Sequence, residues 1–226
     1  MKALPVFVGY DPTAAIAYHT CVNSIIRHAT RPVAIVPVAL NLFSDYKETH
    51  TDGSNHFIYT RFLVPYLMDY QDWAVFIDGD MIVRGDITEL WNFQDSSAAV
   101  SVVKHNYKTS RSVKYLGYPN LDYPRKNWSS VMLWNCGHAS NQQLTPTAIQ
   151  QHTGEYLHRF CWLADNQIGT LPLEWNWLPD EYGVNYQAKL LHYTLGTPCF
   201  HDFADTPQAI EWHRERLFTE YCQQNI

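Results

Sequence analysis

The sequence predicts an α/β fold, a mainly parallel central sheet with helices on both faces, built as one domain over residues 1–226. Three observations carry this expectation. Short apolar runs alternate with segments of helical period through the first third of the chain, in the order β-α-β-α-β. Hydrophobic residues make up 46% of the chain and charged residues 17%, the balance of an ordinary globular protein. No internal repeat, low-complexity run or linker-like stretch invites a domain boundary, and 226 residues suffice to bury one core.

The elements follow in order. Leu4 to Gly9 is a short apolar strand closed by Asp11-Pro12. From Thr13 to His28 the apolar positions Ile16, Val22, Ile25 and Ile26 have helical spacing, with Thr13 as the expected N-cap. Val33 to Val38 is a second strand. Tyr59 to Tyr70 places Phe62, Leu63, Tyr66 and Leu67 on one helical face, and Trp73 to Ile77 follows as an unbroken apolar strand. Met81 to Val83 is again extended, Asp86 caps a short helix through Trp91, and Ala98 to Val103 and Val131 to Trp134 read as buried strands. Helices are expected from about Thr145 to Thr153, around Gly154 to Leu163, and from Pro207 to Tyr221, with a late strand at Leu190 to Tyr193. Residues 105–128 lack periodicity, and a loop of that length in a compact domain is usually functional or disordered.

Composition narrows the function classes. A net charge of −6 provides no broad basic face, so nucleic acid is not an expected partner. The longest apolar run, Val33 to Leu40, contains Pro37 and is too short to span a bilayer, so no transmembrane segment is expected. The start of the chain is too interrupted for a signal peptide. The five cysteines (Cys21, Cys136, Cys161, Cys199 and Cys222) form no C-x-x-C pair, which points to neither a disulfide framework nor a zinc knuckle. A cytoplasmic setting is expected, with peripheral membrane contact left open. Aromatic residues reach 15%, with 8 Trp and 15 Tyr; most serve the core, and the remainder suit stacking on a sugar or base.

The stretch Val75-Phe-Ile-Asp-Gly-Asp-Met-Ile-Val83 holds two carboxylates one residue apart between apolar runs. A D-x-D triplet alone is nearly uninformative, but this one lies where a buried strand reaches its C-terminal end. Open α/β sheets bind their ligands at that edge. Carboxylates forced together there repel unless a cation neutralises them, and Gly79 between them adds no side chain. The same residues also suit a strand-ending β-turn. As an ion site, oxygen ligands favour Mg²⁺, Mn²⁺ or Ca²⁺, and an added imidazole shifts the preference toward Mn²⁺ over Mg²⁺.

Taken in order, several segments resemble the family 8 glycosyltransferases, which have a nucleotide-sugar-binding GT-A fold and include glycogenin and bacterial lipopolysaccharide galactosyltransferases. The likeness is carried by Val6 to Asp11, by Tyr59-Thr-Arg-Phe-Leu63, by the D-x-D segment with its following Gly85-Asp-Ile-Thr-Glu-Leu-Trp91, by Trp128 to Asn135, by Leu163 to Ile168 and by Leu191 to Pro198. It implies a Rossmann-like GT-A sheet and transfer of a sugar from a nucleoside diphosphate sugar, most often a UDP-sugar, with retention of anomeric configuration. The acceptor would be an unknown glycan, a lipid-linked saccharide or a protein. Carried over by position, Asp78, Asp80 and His192 would hold Mn²⁺ or Mg²⁺, and Asp78 would also touch the ribose. Val8, Gly9, Tyr10 and Asp11 would line the nucleoside pocket, Gly196 and Thr197 would lie beside the donor, and Arg61 would sit near the diphosphate or sugar. Asp165 and Asn166 would face the donor sugar.

The departures from the family pattern are equally specific. Its pyrophosphate lysine falls on Thr197, leaving Lys104, Arg125 or Lys126 as candidate replacements, and its Asn-Ala-Gly becomes Trp128-Ser129-Ser130. Each residue also has a plainer role. His192 could be a core histidine, Arg61 could pair with Asp69 or Asp72, and Leu171 to Pro179 could be a buried connection instead of a sugar wall. Rival functions are a metal-dependent nucleotide-sugar hydrolase and a nucleotide-sugar-binding module with impaired catalysis.

Overall fold

The first strand, β1 (Leu4–Gly9), sends alternate side chains to opposite faces of a sheet, as strand periodicity requires. Val6 and Val8 enter one buried cluster and Phe7 the other. In the computed structural model, which describes residues 2–220, β1 pairs in parallel with β2 (Val33–Val38) and β3 (Trp73–Ile77). Three further strands, β5 (Val100–Val102), β6 (Val131–Asn135) and β7 (Ile168–Thr170), complete the sheet in the order β2-β1-β3-β6-β5-β7. Only β6 runs against the others, antiparallel to both β3 and β5, so the sheet is mixed but mainly parallel.

Both faces are covered, which is why the strands read as nearly continuous apolar runs. One face packs on α1 (Ala15–His28) through Cys21 and Ile25, and on β4 (Met81–Val83) through Met81 and Val83. The other is covered by Phe62 and Leu63 just before α2 (Val64–Leu67), by Val64 at its start, by Ile149 of α3 (Pro146–Gln151) and by Leu157 of α4 (Gly154–His158). After α5 (Pro179–Tyr182), the strand β8 (Leu190–His192) pairs antiparallel with β4 in a separate ribbon. Its Leu191 and Tyr193, with Ile82, pack on Trp212 of α6 (Ala209–Glu220).

Several expectations shift in detail. Asp11, not Thr13, caps the first helical segment, because its carboxylate accepts from both the backbone and the hydroxyl of Thr13. The helix expected over 59–70 is a 3₁₀ segment, Thr60–Leu63, followed by the single turn of α2; Asp69 and Tyr70 take positive φ and end it. The terminal helix begins at Ala209, and the expected end at Tyr221, like Cys222, lies outside the described residues. Among the described residues no helix is long and apolar enough to cross a membrane, and Cys21, Cys136, Cys161 and Cys199 are all free thiols.

Candidate active site

The geometry of the site follows from two strand pairings. Val8 lies opposite Ile77, so β1 and β3 end together and Gly9 stands beside the first aspartate. The approach is close enough that a β-carbon on Gly79 would meet the Gly9 carbonyl oxygen at 2.2 Å, which only glycine avoids. Antiparallel pairing of β6 brings its start to the same edge, and the Asp78 amide donates to the Ser130 carbonyl at 3.1 Å. In the ribbon, Met81 lies opposite His192, which places the imidazole against the D-x-D turn.

Asp78, Asp80 and His192 each direct one ligand atom to a common point, all within 4.8 Å of one another. The His192 ring is fixed by Asn176, whose side-chain oxygen lies 2.9 Å from Nδ1. The orientation of that amide follows from its nitrogen, which donates to Ser130 Oγ at 2.8 Å and the Asn127 carbonyl at 3.3 Å. With Nδ1 carrying the proton, the bare Nε2 faces Asp80 Oδ1 at 3.3 Å and Asp78 Oδ2 at 3.9 Å. Three electron-rich atoms converge there, and Oδ1 of each aspartate is buried without an aligned hydrogen-bond donor. This donor set, two carboxylates and one neutral imidazole, fits a divalent cation such as Mn²⁺ or Mg²⁺.

Arg61 completes the cluster. Its guanidinium is buried, 2.7 Å from Asp78 Oδ1, and donates to the carbonyls of Ile58 and Ser129. It therefore pairs with neither Asp69 nor Asp72; Asp72 is taken by Lys2. Burial pushes the Asp78 carboxyl up and the Arg61 charge only partly counters it. At Asp80 burial also opposes ionisation, but the positive charge of Arg61 and, whenever Nε2 carries a proton, the charge and hydrogen bond of His192 outweigh it, so that carboxyl is held down; a cation in place of that proton would act in the same direction.

These residues open onto a cavity of about 520 Å³. Its far walls come from Ser54 to Tyr59, from α4 with His158 and Arg159, and from the 105–128 loop, whose Lys114, Tyr118, Tyr123 and Lys126 face it. The long loop is thus part of the site. His158 is kept neutral chiefly by burial, with the charges of Arg61 and Lys114 adding to the effect, and its Nδ1 lies 2.7 Å from Ser129 Oγ.

Residues 11–197 match glycosyl transferase family 8. The chain belongs to this family. It is 39% identical over 233 residues to Protein CDI of Arabidopsis thaliana, covering 99% of this chain and 89% of that protein. In fold it is similar to the bifunctional glycosyltransferase WbbM, with a TM-score of 0.63 and 19% identity; the likeness covers 95% of this chain and 52% of that longer one. The galactosyltransferase LgtC, solved with donor and acceptor sugar analogues, gives a TM-score of 0.58 at 12% identity, covering 98% of each chain. The protein is a GT-A glycosyltransferase of family 8.

The family 8 expectations are met unevenly in space. Asp78, Asp80, His192 and Arg61 come together. Val8, Gly9, Tyr10 and Asp11 reach the same sheet edge without lining the cavity: the Val8 side chain is in the core, and Asp11 is occupied by Thr13 and the His56 amide. Gly196 and Thr197 are buried behind the wall, where a β-carbon on Gly196 would overlap the Phe203 ring at 2.5 Å; it is Thr194 that faces the cavity. Asp165 and Asn166 are not brought to it. Both are exposed on a turn before β7, and the Asp165 side chain, 91% exposed, pairs with Arg125 at 2.5 Å. Of the candidate replacement cations, Lys104 donates to the Ile168 carbonyl and Arg125 is held by Asp165 and the Arg159 carbonyl, so only Lys126 lines the cavity.

The 171–179 segment forms no sugar wall either. Trp175 is fully buried, Trp177 donates to the Gly183 carbonyl, and the contribution of the segment is Asn176. Sequence reasoning missed Asn176, Ser129, His158 and Lys114. The signals were weak: an amide between two tryptophans, a serine in place of the family alanine, and a lysine in an aperiodic loop.

Proposed function

We propose that this enzyme transfers a sugar from a UDP-sugar to an acceptor hydroxyl on a glycan, a lipid-linked saccharide or a protein, dependent on Mn²⁺ or Mg²⁺ and with retention of configuration. Residues 1–226 act as one catalytic domain in this reading. The observation that carries it is the convergence of Asp78, Asp80 and His192 beside Arg61 at the mouth of the cavity. A bound divalent ion would neutralise charge on the leaving diphosphate as the anomeric bond breaks.

The chain's own groups do the rest. The edge formed by Gly9, Tyr10 and Asp11 receives the nucleoside, and Asp78 also accepts from the ribose. Arg61 favours the ionised form of Asp78 against its burial and adds positive charge near the diphosphate. During transfer the bond from the anomeric carbon to the diphosphate breaks, the acceptor oxygen bonds to that carbon from the same face, and the acceptor proton passes to the departing phosphate oxygen. In this reading the neutral His158 and Ser129, which line the cavity, take the sugar-facing role expected for Asp165 and Asn166.

Incubation with Mn²⁺ and a panel of UDP- and GDP-sugars, with and without saccharide acceptors, tests the reading. Acceptor-dependent release of UDP supports transfer. Release without acceptor would mean hydrolysis, binding without turnover would mean a binding module, and no donor binding with metal present would sink the proposal.

A further inference from the structure

A leaving diphosphate needs positive charge beyond a metal ion, and position 197 supplies none, because it is a threonine only 2% exposed. The cavity's other cations can be sorted by what already holds them. Arg61 is engaged by Asp78 and the Ser129 carbonyl. Lys126 donates to Asn120 at 2.6 Å and to the Leu121 carbonyl at 2.7 Å, and Arg159 pairs with Glu155 one helical turn away. Lys114 differs. Among the described residues its ammonium group meets no hydrogen-bond or ion-pair partner, although the side chain lines the same cavity as Asp78 and Asp80.

The backbone around Lys114 is held firmly. Its amide donates to the Tyr118 carbonyl at 2.8 Å, and Val113 bridges Pro119, so the segment turns back on itself. The next amide, of Tyr115, donates to the Leu195 carbonyl at 2.7 Å, which ties the turn to the chain just past His192. The Tyr115 ring stacks on Phe200 with centroids 5.1 Å apart, and its hydroxyl donates to the Ser54 carbonyl. Burial works against the charge on Lys114, and the aspartates Asp80 and Asp78 favour it. An anchored, half-buried lysine with three free donors, in the field of the D-x-D pair, suits a multiply charged anion that comes and goes.

We propose that Lys114 is the catalytic residue that contacts the donor diphosphate, supplying from the 105–128 loop the charge that position 197 lacks. This rests on the UDP-sugar reading above. Lysine acts here as a point charge, neutralising the phosphate that leaves when the anomeric bond breaks.

The test is calorimetric titration of the full chain with Mn²⁺ alone, with uridine, and with UDP in the presence of Mn²⁺. Lys114→Met is expected to weaken UDP binding roughly tenfold to a hundredfold, the value of one charge-assisted contact. Uridine affinity stays as in wild type and Mn²⁺ affinity does not fall, because removing a positive charge from the field of the two aspartates can only favour the ion; this separates loss of a phosphate contact from general damage, and Lys114→Arg restores most of the UDP affinity. If Lys114→Met binds UDP as tightly as wild type, the assignment is wrong and the UDP reading stands. If wild type itself binds no UDP with Mn²⁺, both fall together.

Discussion

Replacing Asn176 with alanine removes the group that orients His192 without touching any candidate ligand atom. In the native arrangement the Asn176 side-chain oxygen lies 2.9 Å from His192 Nδ1, and its nitrogen is held by Ser130 Oγ at 2.8 Å. Both residues are buried, with Asn176 at 0% and His192 at 2% exposure, so bulk solvent does not reach the ring in the native arrangement. A buried ring N–H left without an acceptor costs about 1–3 kcal/mol. The ring can escape that cost by moving its proton to Nε2, but that tautomer no longer offers a lone pair to a cation. Either route weakens the metal site, and losses of about 10- to 100-fold are typical when the partner of a ligating histidine is removed. Titration of Mn²⁺ by electron paramagnetic resonance reads this directly, with near-UV circular dichroism checking that the fold is intact. An Asn176→Ala protein that binds Mn²⁺ within twofold of wild type would refute the assignment of Nε2 as the ligand atom.

Three further outcomes are expected. Asp80→Ala should abolish metal-dependent UDP binding, and unchanged affinity in the same titration would reduce the D-x-D segment to a turn. Gly79→Ala should destabilise the protein by about 1–3 kcal/mol in urea unfolding, because the new methyl group meets the Gly9 carbonyl at 2.2 Å and two backbones must part; a midpoint matching wild type would contradict that approach. Lys126 has its pKa lowered to about 8, by burial first and by the Lys114 charge second. The unfolded chain therefore holds this proton over a pH range in which the folded protein has released it, so its contribution to stability rises from about pH 8 toward the ordinary lysine value near 10.4. Subtracting the unfolding free energy of Lys126→Met from that of wild type at several pH values isolates this term, which should grow with pH across that window; a flat difference would show that the ammonium is not desolvated.

Legibility from sequence followed burial. The strands β1, β2 and β3 have the bounds read from their apolar runs, since strands covered on both faces leave no polar interruption. Short elements at the margin were blurred. Ile168–Thr170 is an edge strand containing a glycine, and nothing in three such residues distinguishes it from a turn. Periodicity over 59–70 gave the buried face but not the break into 3₁₀ and α turns. At the site, Asp78 and Asp80 stood out because they lie where a buried strand reaches its end, although a turn uses the same residues. The residues that position them were hidden, because Asn176 and Lys114 acquire their roles from contacts with chain segments far away in sequence. Asp165 and Asn166 show the reverse: the motif matches in order, yet the turn that carries it is exposed and its residues are not among those lining the cavity.

The pairing of Met81 with His192 has a consequence for how the protein is made. During synthesis the D-x-D turn leaves the ribosome more than a hundred residues before its imidazole partner, and in that interval the two aspartates are a site with no third ligand. In the proposed reading, cation capture therefore belongs to a late stage of folding, after the ribbon has closed. A chain released before residue 192 would keep most of the sheet strands and lack the third candidate ligand, so under the proposed function Mn²⁺ uptake would report that β8 has paired with β4.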